Sequence, residues 1–257
     1  MSESGPEGAT RRPARGARHG RPAALVTGSA KGIGKAIALA LAADGYDVMI
    51  HYRRSRAEAD GVVEAATALG AHAVAAQADV TDEAEARGLV DAAHSLFGRL
   101  DALVNNVGNY HQGPLADLSG EVWREMFASN LDATFYTCQR AVPYLRLAPN
   151  GGRIVNLGYA GAELIKARPS IAAYGIAKTG VILYSKALAL AEAKNGITVN
   201  VVSPGVIENS VTKPLHELPM DRVGRLDEVV GAVRYFLSPA ADYVTGTTLE
   251  VAGAWNV

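Results

Sequence analysis

From residue 23 onward the chain alternates short apolar runs with longer stretches of mixed polarity. Seven segments read as strands: "AALVTG" (23–28), "DVMIHY" (47–52), "AHAVAAQADV" (71–80), "LDALVNNVG" (100–108), "GRIVNLG" (152–158), "ITVNVVSPG" (197–205) and "TTLEVAG" (247–253). Between them, apolar residues at helical spacing predict helices over 33–43, 56–69, 82–97, 119–146, 174–194 and 227–238. Thr81, Asp82 and Glu83 supply a start signal for the third, and Pro143 predicts a bend in the fourth. Residues 206–226 have no period and read as irregular. Strands that alternate with helices call for right-handed crossovers and a parallel sheet covered on both faces. The prediction is one Rossmann-type, doubly wound α/β domain over residues 23–257, with ligands at the carboxyl ends of its strands.

Residues 1–22 stand apart. They hold five Arg and two Glu with almost no large apolar side chain, so a disordered basic tail is expected. The chain as a whole has a formal net charge of -1, which gives no drive toward nucleic acid or an acidic membrane. Arg11 and Arg12 lack the following apolar region of an export signal, and no apolar run approaches 18 residues. The single cysteine, Cys138, excludes an intrachain disulfide and suits a cytoplasmic location. No metal is expected.

The chemistry concentrates after the strands. "TGSAKGIG" carries Gly28, Gly32 and Gly34 between the first strand and first helix, where backbone N–H groups can approach a pyrophosphate. Lys31 and Ile33 belong to the same turn. The second strand ends in "HYRRS", with no carboxylate to bind a ribose 2′-hydroxyl. Arg53, Arg54 and Ser55, with Lys31, offer donors for a 2′-phosphate instead, which favours NADPH over NADH. Tyr174 and Lys178 lie one helical turn apart, so that an ammonium can favour the phenolate of an otherwise unreactive tyrosine. Asn130 sits inside a predicted helix, where an amide has poor propensity.

As a set, "TGSAKGIG", Asp79-Val80, "NNVG" (105–108), Asn130, "YGIAK" (174–178) and Pro204-Gly205 resemble the short-chain dehydrogenase/reductase family over residues 23–257. Within it the chain is similar to 3-oxoacyl-[acyl-carrier-protein] reductases. The resemblance implies Tyr174 as general acid, Lys178 on the nicotinamide ribose, and Asn130 holding a water in a proton relay. It also implies adenine contact by Asp79 and Val80, cofactor contact by Asn106 and Gly108, and nicotinamide contact by Pro204, Gly205, Ile207 and Asn209. The helices ending near Arg146 and carrying Tyr174 display apolar faces, and for these the resemblance implies pairing into a homotetramer, or a dimer.

One part is substituted. Where the family has Ser-Ser after its R-I-V-N-I strand, this chain has Gly158-Tyr159. Three accounts stand: Tyr159 supplies the hydroxyl that orients the substrate oxygen, Ser170 folds back into the site, or the protein binds NADPH without turnover. Tyr110, His111, Gln112 and Trp255 are candidate rim residues. The expected function is reduction of a ketone to an alcohol, with a pteridine reductase and a polyol or sugar dehydrogenase as rival enzymes. An NADPH sensor or scaffold is the non-enzymatic rival.

Overall fold

The computed structural model describes residues 20–256, so most of the basic tail lies outside the described residues. Seven strands form one parallel sheet: β1 Ala23–Val26, β2 Asp47–Tyr52, β3 Ala73–Gln77, β4 Ala102–Asn105, β5 Arg153–Leu157, β6 Thr198–Pro204 and β7 Thr248–Val251. Their order is β3-β2-β1-β4-β5-β6-β7. The chain winds outward from β1 to β3, returns to lay β4 beside β1, and winds outward the other way. This reversal leaves a crevice above β1 and β4.

Period two decides which face each strand residue enters. In register, Leu25 pairs with Met49 and Leu103, while Val26 pairs with Ile50 and Val104. Val26, Ile50, Val104, Val155 and Val202 pack under α1 (Gly32–Ala43), α2 (Arg56–Ala68) and α7 (Leu226–Leu237). Leu25, Met49, Leu103 and Ile154 face α3 (Glu83–Phe97) and α5 (Ala133–Leu145) on the other side. Burial on both faces explains why these strands read as continuous apolar runs. As predicted, Asp82 caps α3: its carboxylate accepts the Glu85 N–H at 2.9 Å.

Two expectations need correction. Residues 20–22 are docked rather than part of a loose tail: Arg21 pairs with Asp47 at 3.2 Å and donates to the Ala42 carbonyl at 3.1 Å. The long helix also carries a π turn well before Pro143. Helix α4 (Gly120–Phe127) joins α5 through a π turn at Ala128–Asp132, and α5 runs through Pro143 to Leu145. The cause is local competition for backbone carbonyls. Ser129 Oγ donates to Glu125 O, Asn130 Nδ2 to Met126 O, and Thr134 Oγ1 to Asn130 O. The widened turn places Asn130 under the site.

Candidate active site

The glycine turn is built by its neighbours. A Cβ at Gly34 would lie 2.6 Å from Asn106 Nδ2 and collide with the Gly28 carbonyl, so only glycine lets α1 start this close to β1. Asn106 locks the arrangement, donating from Nδ2 to the carbonyls of Thr27 and Gly28, each at 3.1 Å. Thr27 Oγ1 in turn accepts from the N–H of Asn106 at 2.9 Å. His51, at the end of β2, closes the other side. Its Nδ1 accepts from the Gly28 N–H at 2.9 Å, so Nε2 carries the proton and donates to Ala78 O at 3.0 Å. Burial holds this imidazole below its usual range, consistent with a neutral ring.

Beside the turn, Arg53 and Arg54 are exposed, and Ser55 starts α2 without using its hydroxyl as a cap. Arg53 meets Asp79 at 3.4 Å and Lys31 meets Glu58 at 2.6 Å, both as exposed pairs. Such pairs are worth little, so redirecting either cation to a phosphate costs little. Val80 is buried in the core. On the far side, Asn209 Nδ2 lies 2.7 Å from where a Gly32 Cβ would stand, bringing the segment after β6 over the turn.

The crevice opens into a cleft of about 330 Å³ lined by Ile33, Asn106, Gly108, Pro204, Gly205, Ile207 and Asn209, and by Tyr110, Tyr159, Tyr174, Lys178 and Trp255. Tyr174 and Lys178 project from α6 (Ala172–Glu192). Lys178 is 5% exposed, donates to Leu157 O at 2.7 Å, and has Nζ 5.9 Å from the Tyr174 ring centre. Burial pulls its ammonium down to about 8. Burial, followed by the neighbouring phenols of Tyr159 and Tyr110, pushes the Tyr174 hydroxyl above its ordinary range. Tyr174 is therefore a protonated phenol at neutral pH, the form a general acid requires.

Asn130 meets this pair through Gly108. A Cβ at Gly108 would collide with Asn130 Oδ1 and approach Lys178 Nζ to 3.2 Å. Asn130 is fully buried, and its Oδ1 has no hydrogen-bond partner among the described residues. The three polar groups named from the sequence thus converge on one corner, with a glycine making the space.

The family model described as "Enoyl-(Acyl carrier protein) reductase" matches residues 28–256. A 3-oxoacyl-[acyl-carrier-protein] reductase of Synechocystis is 39% identical over 237 residues, covering 90% of this chain and 95% of the relative. The chain belongs to the short-chain dehydrogenase/reductase family. It is an oxidoreductase related to 3-oxoacyl-[acyl-carrier-protein] reductases. Two solved structures are close in shape. A short-chain dehydrogenase of Burkholderia cenocepacia in complex with NADP has a TM-score of 0.86 and 34% identity, covering 93% of this chain and 98% of that one. A blue fluorescent protein from a metagenomic library in complex with NADPH has a TM-score of 0.87 and 33% identity, covering 93% and 99%.

The glycine at the position of the family's first serine has a steric cause. A side chain at Gly158 would collide with Ser203 Oγ from β6 and approach Val201 Cγ1 to 2.8 Å. Ser203 is fully buried, and its hydroxyl lacks a partner among the described residues. Installing Gly158→Ser should therefore cost about 1–3 kcal/mol through overpacking. Adding Ser203→Ala should recover part of that loss. Denaturant midpoints of the single and double variants measure both effects, and an unchanged midpoint for the single variant refutes the clash.

Tyr159 lies 9% exposed, with its ring centre 5.5 Å from that of Tyr174 at 70° and 6.3 Å from Trp255 at 83°. Tyr110 approaches Tyr174 from another side at 5.0 Å and 79°. Trp255 thus reaches the cleft from within its own chain, and so does Tyr110, whereas His111 and Gln112 do not line it. Ser170 is exposed and does not line it either; its carbonyl accepts the Gly113 N–H at 2.8 Å. Sequence reasoning missed His51, Ser203 and Arg168. Only the histidine left a signal, a titratable side chain at a position that should be core.

Proposed function

We propose that the protein is an NADPH-dependent carbonyl reductase, converting a ketone of the 3-oxoacyl type or a related carbonyl to a secondary alcohol. The observation that carries this reading is the convergence of Tyr174, Lys178 and Asn130 at the cleft that continues the glycine turn. The turn fits a dinucleotide: its glycines sit where a Cβ would fill the cradle, at the N-terminus of α1. Gly28, Lys31, Gly32, Ile33 and Gly34 would hold the pyrophosphate. Arg53, Arg54 and Ser55 would take the 2′-phosphate, Asp79 and Val80 the adenine side. Asn106, Gly108, Pro204, Gly205, Ile207 and Asn209 would line the nicotinamide side, with Lys178 on its ribose. The NADP and NADPH complexes of the two solved relatives support the same choice of cofactor.

A dinucleotide held by these residues would supply the hydride. As a C–H bond forms at the carbonyl carbon, the π electron pair moves onto oxygen, which takes the proton of Tyr174. The resulting phenolate is stabilised by the Lys178 ammonium and reprotonated from solvent through the corner that Asn130 shapes. Tyr159 replaces the family serine as the hydroxyl that orients the substrate oxygen. Exposed Ile176, Leu183 and Leu190 on α6, with Phe135 on α5, give the apolar faces that a homotetramer or dimer would cover. Among the described residues no helix is long and apolar enough to cross a membrane, and no cluster could hold a metal.

Cofactor oxidation against a panel tests the reading: acetoacetyl and enoyl thioesters, a dihydropteridine, a diketone and a quinone, with NADPH and NADH in parallel. Turnover of a ketone with NADPH preferred is expected. A clear NADH preference would overturn the cofactor assignment, and turnover of the enoyl thioester alone would overturn the carbonyl assignment. Tight NADPH binding with no turnover on any compound would favour the sensor.

A further inference from the structure

The segment between β5 and α6 places a cation beside Tyr159. Arg168 lies between the short helical turns Ala162–Leu164 and Pro169–Ile171. Its Nη1 donates to the Tyr159 hydroxyl at 2.7 Å, and its Cζ lies 5.4 Å from the centre of the same ring. Gly161, at φ +82°, makes room: a Cβ there would stand 3.0 Å from Arg168 Nη2. Two features of this short loop therefore bring one guanidinium onto one phenol.

We propose that Arg168 is a positioning residue that aims the Tyr159 hydroxyl proton at the substrate's carbonyl oxygen. This inference rests on the carbonyl-reductase reading above. A guanidinium has five donors and no acceptor, so the phenol oxygen can only accept from it. The phenolic proton must then point elsewhere, and among the described residues it is donated to none. Tyr159 lines the same cleft as Tyr174, with the two rings nearly perpendicular. Accepting a charge-assisted bond polarises the phenol and strengthens it as a donor. Burial pushes the Tyr159 phenol up while the Arg168 guanidinium pulls it down, so the group remains a neutral donor whose strength the arginine increases.

The substitution of serine by tyrosine then has a mechanical consequence. A serine hydroxyl sits on a short stem fixed by its strand. A phenol hydroxyl lies at the end of a long side chain and needs a second anchor to be held within the narrow tolerance of a reacting geometry. The packing of Trp255 and Tyr174 against the ring fixes its plane, and Arg168 fixes the direction of its O–H.

A double-mutant cycle tests this. Arg168→Met keeps much of the aliphatic stem and removes the donor, Arg168→Lys restores a cation, and each is made alone and with Tyr159→Phe. In the Tyr159 background, Arg168→Met should lower kcat by about tenfold, the scale of one charge-assisted hydrogen bond. Arg168→Lys should recover part of the loss. In the Tyr159→Phe background the same change should have no further effect on kcat. NADPH affinity and thermal midpoint, measured on every variant, should stay close to those of the parent. An equal loss in both backgrounds, no loss in either, or a loss that follows NADPH affinity or unfolding overturns the proposal while leaving the reductase reading intact. A parent chain that reduces no carbonyl overturns that reading, and this inference with it.

Discussion

Tyr174→Phe is expected to lower carbonyl turnover by about 10²–10⁴-fold, the range removed with a general acid, while leaving NADPH affinity nearly intact. The substitution deletes one oxygen and keeps the ring. The ring is what packs, with Tyr110 at 5.0 Å and Tyr159 at 5.5 Å in edge-to-face contact, so the wall of the cleft survives. The lost atom is the proton donor. Because burial keeps that phenol protonated well above neutral pH, the parent chain carries the acid form throughout the neutral range. The loss should fall on kcat at every neutral pH and should not be relieved by acidifying the buffer. Steady-state kinetics beside a cofactor-binding titration checks the split. A kcat within threefold of the parent would remove Tyr174 from the proton transfer, and a matching loss of NADPH affinity would make it a binding residue instead.

The parts of this site that are legible in the sequence share one property: each is a short segment defined by its place after a strand or on a helix. The glycine turn, "HYRRS", "NNVG" and "YGIAK" can each be placed from the strand or helix beside them, before their distant partners are known. Period two and period 3.6 locate those elements, since burial of the sheet on both faces and of one face of each helix imposes the two patterns. The parts that are not legible arise between segments distant in sequence. Ser203 and Gly158 meet only because β5 and β6 are neighbours in register, with Leu157 opposite Val202. The turn at Ala128–Asp132 comes from side-chain bonds to carbonyls that an ordinary helix of the same composition would leave in place. Pro143 is a stronger breaker by type, yet it lies inside α5 without ending it. Arg168 reaches Tyr159 through a loop whose path no periodic pattern encodes. The residues that differ from the family at Gly158 and Tyr159 thus become interpretable only with their spatial partners, Ser203 and Arg168.

Lys178→Met should act in opposite directions on turnover and on stability. Turnover is expected to fall by about 10²-fold or more, because the phenolate formed at Tyr174 loses the adjacent cation. Stability at neutral pH should rise, because a buried ammonium is removed from a site that offers it one hydrogen bond, to Leu157 O. The displacement of Lys178 from its ordinary value near 10.5 to about 8 sets the scale of that penalty. At about 1.4 kcal/mol per unit this comes to about 3.5 kcal/mol, reduced by the carbonyl bond that methionine cannot make. The pH dependence fixes the sign. Below pH 8 the ammonium is charged in both folded and unfolded chains, and the full penalty is present. Between pH 8 and 10.5 the folded chain has lost the proton and the unfolded chain still binds it, so the stability contribution from this group rises with pH. The advantage of the methionine variant should therefore be largest at neutral pH and shrink across that window. Thermal midpoints of both chains from pH 7 to 10 measure it. A variant less stable than its parent at pH 7 would mean that Lys178 is held by compensating interactions rather than retained against its desolvation cost for what it does to Tyr174. In the parent chain the same deprotonation should draw down the reduction rate as pH rises through about 8, linking the stability profile and the activity profile to one ammonium.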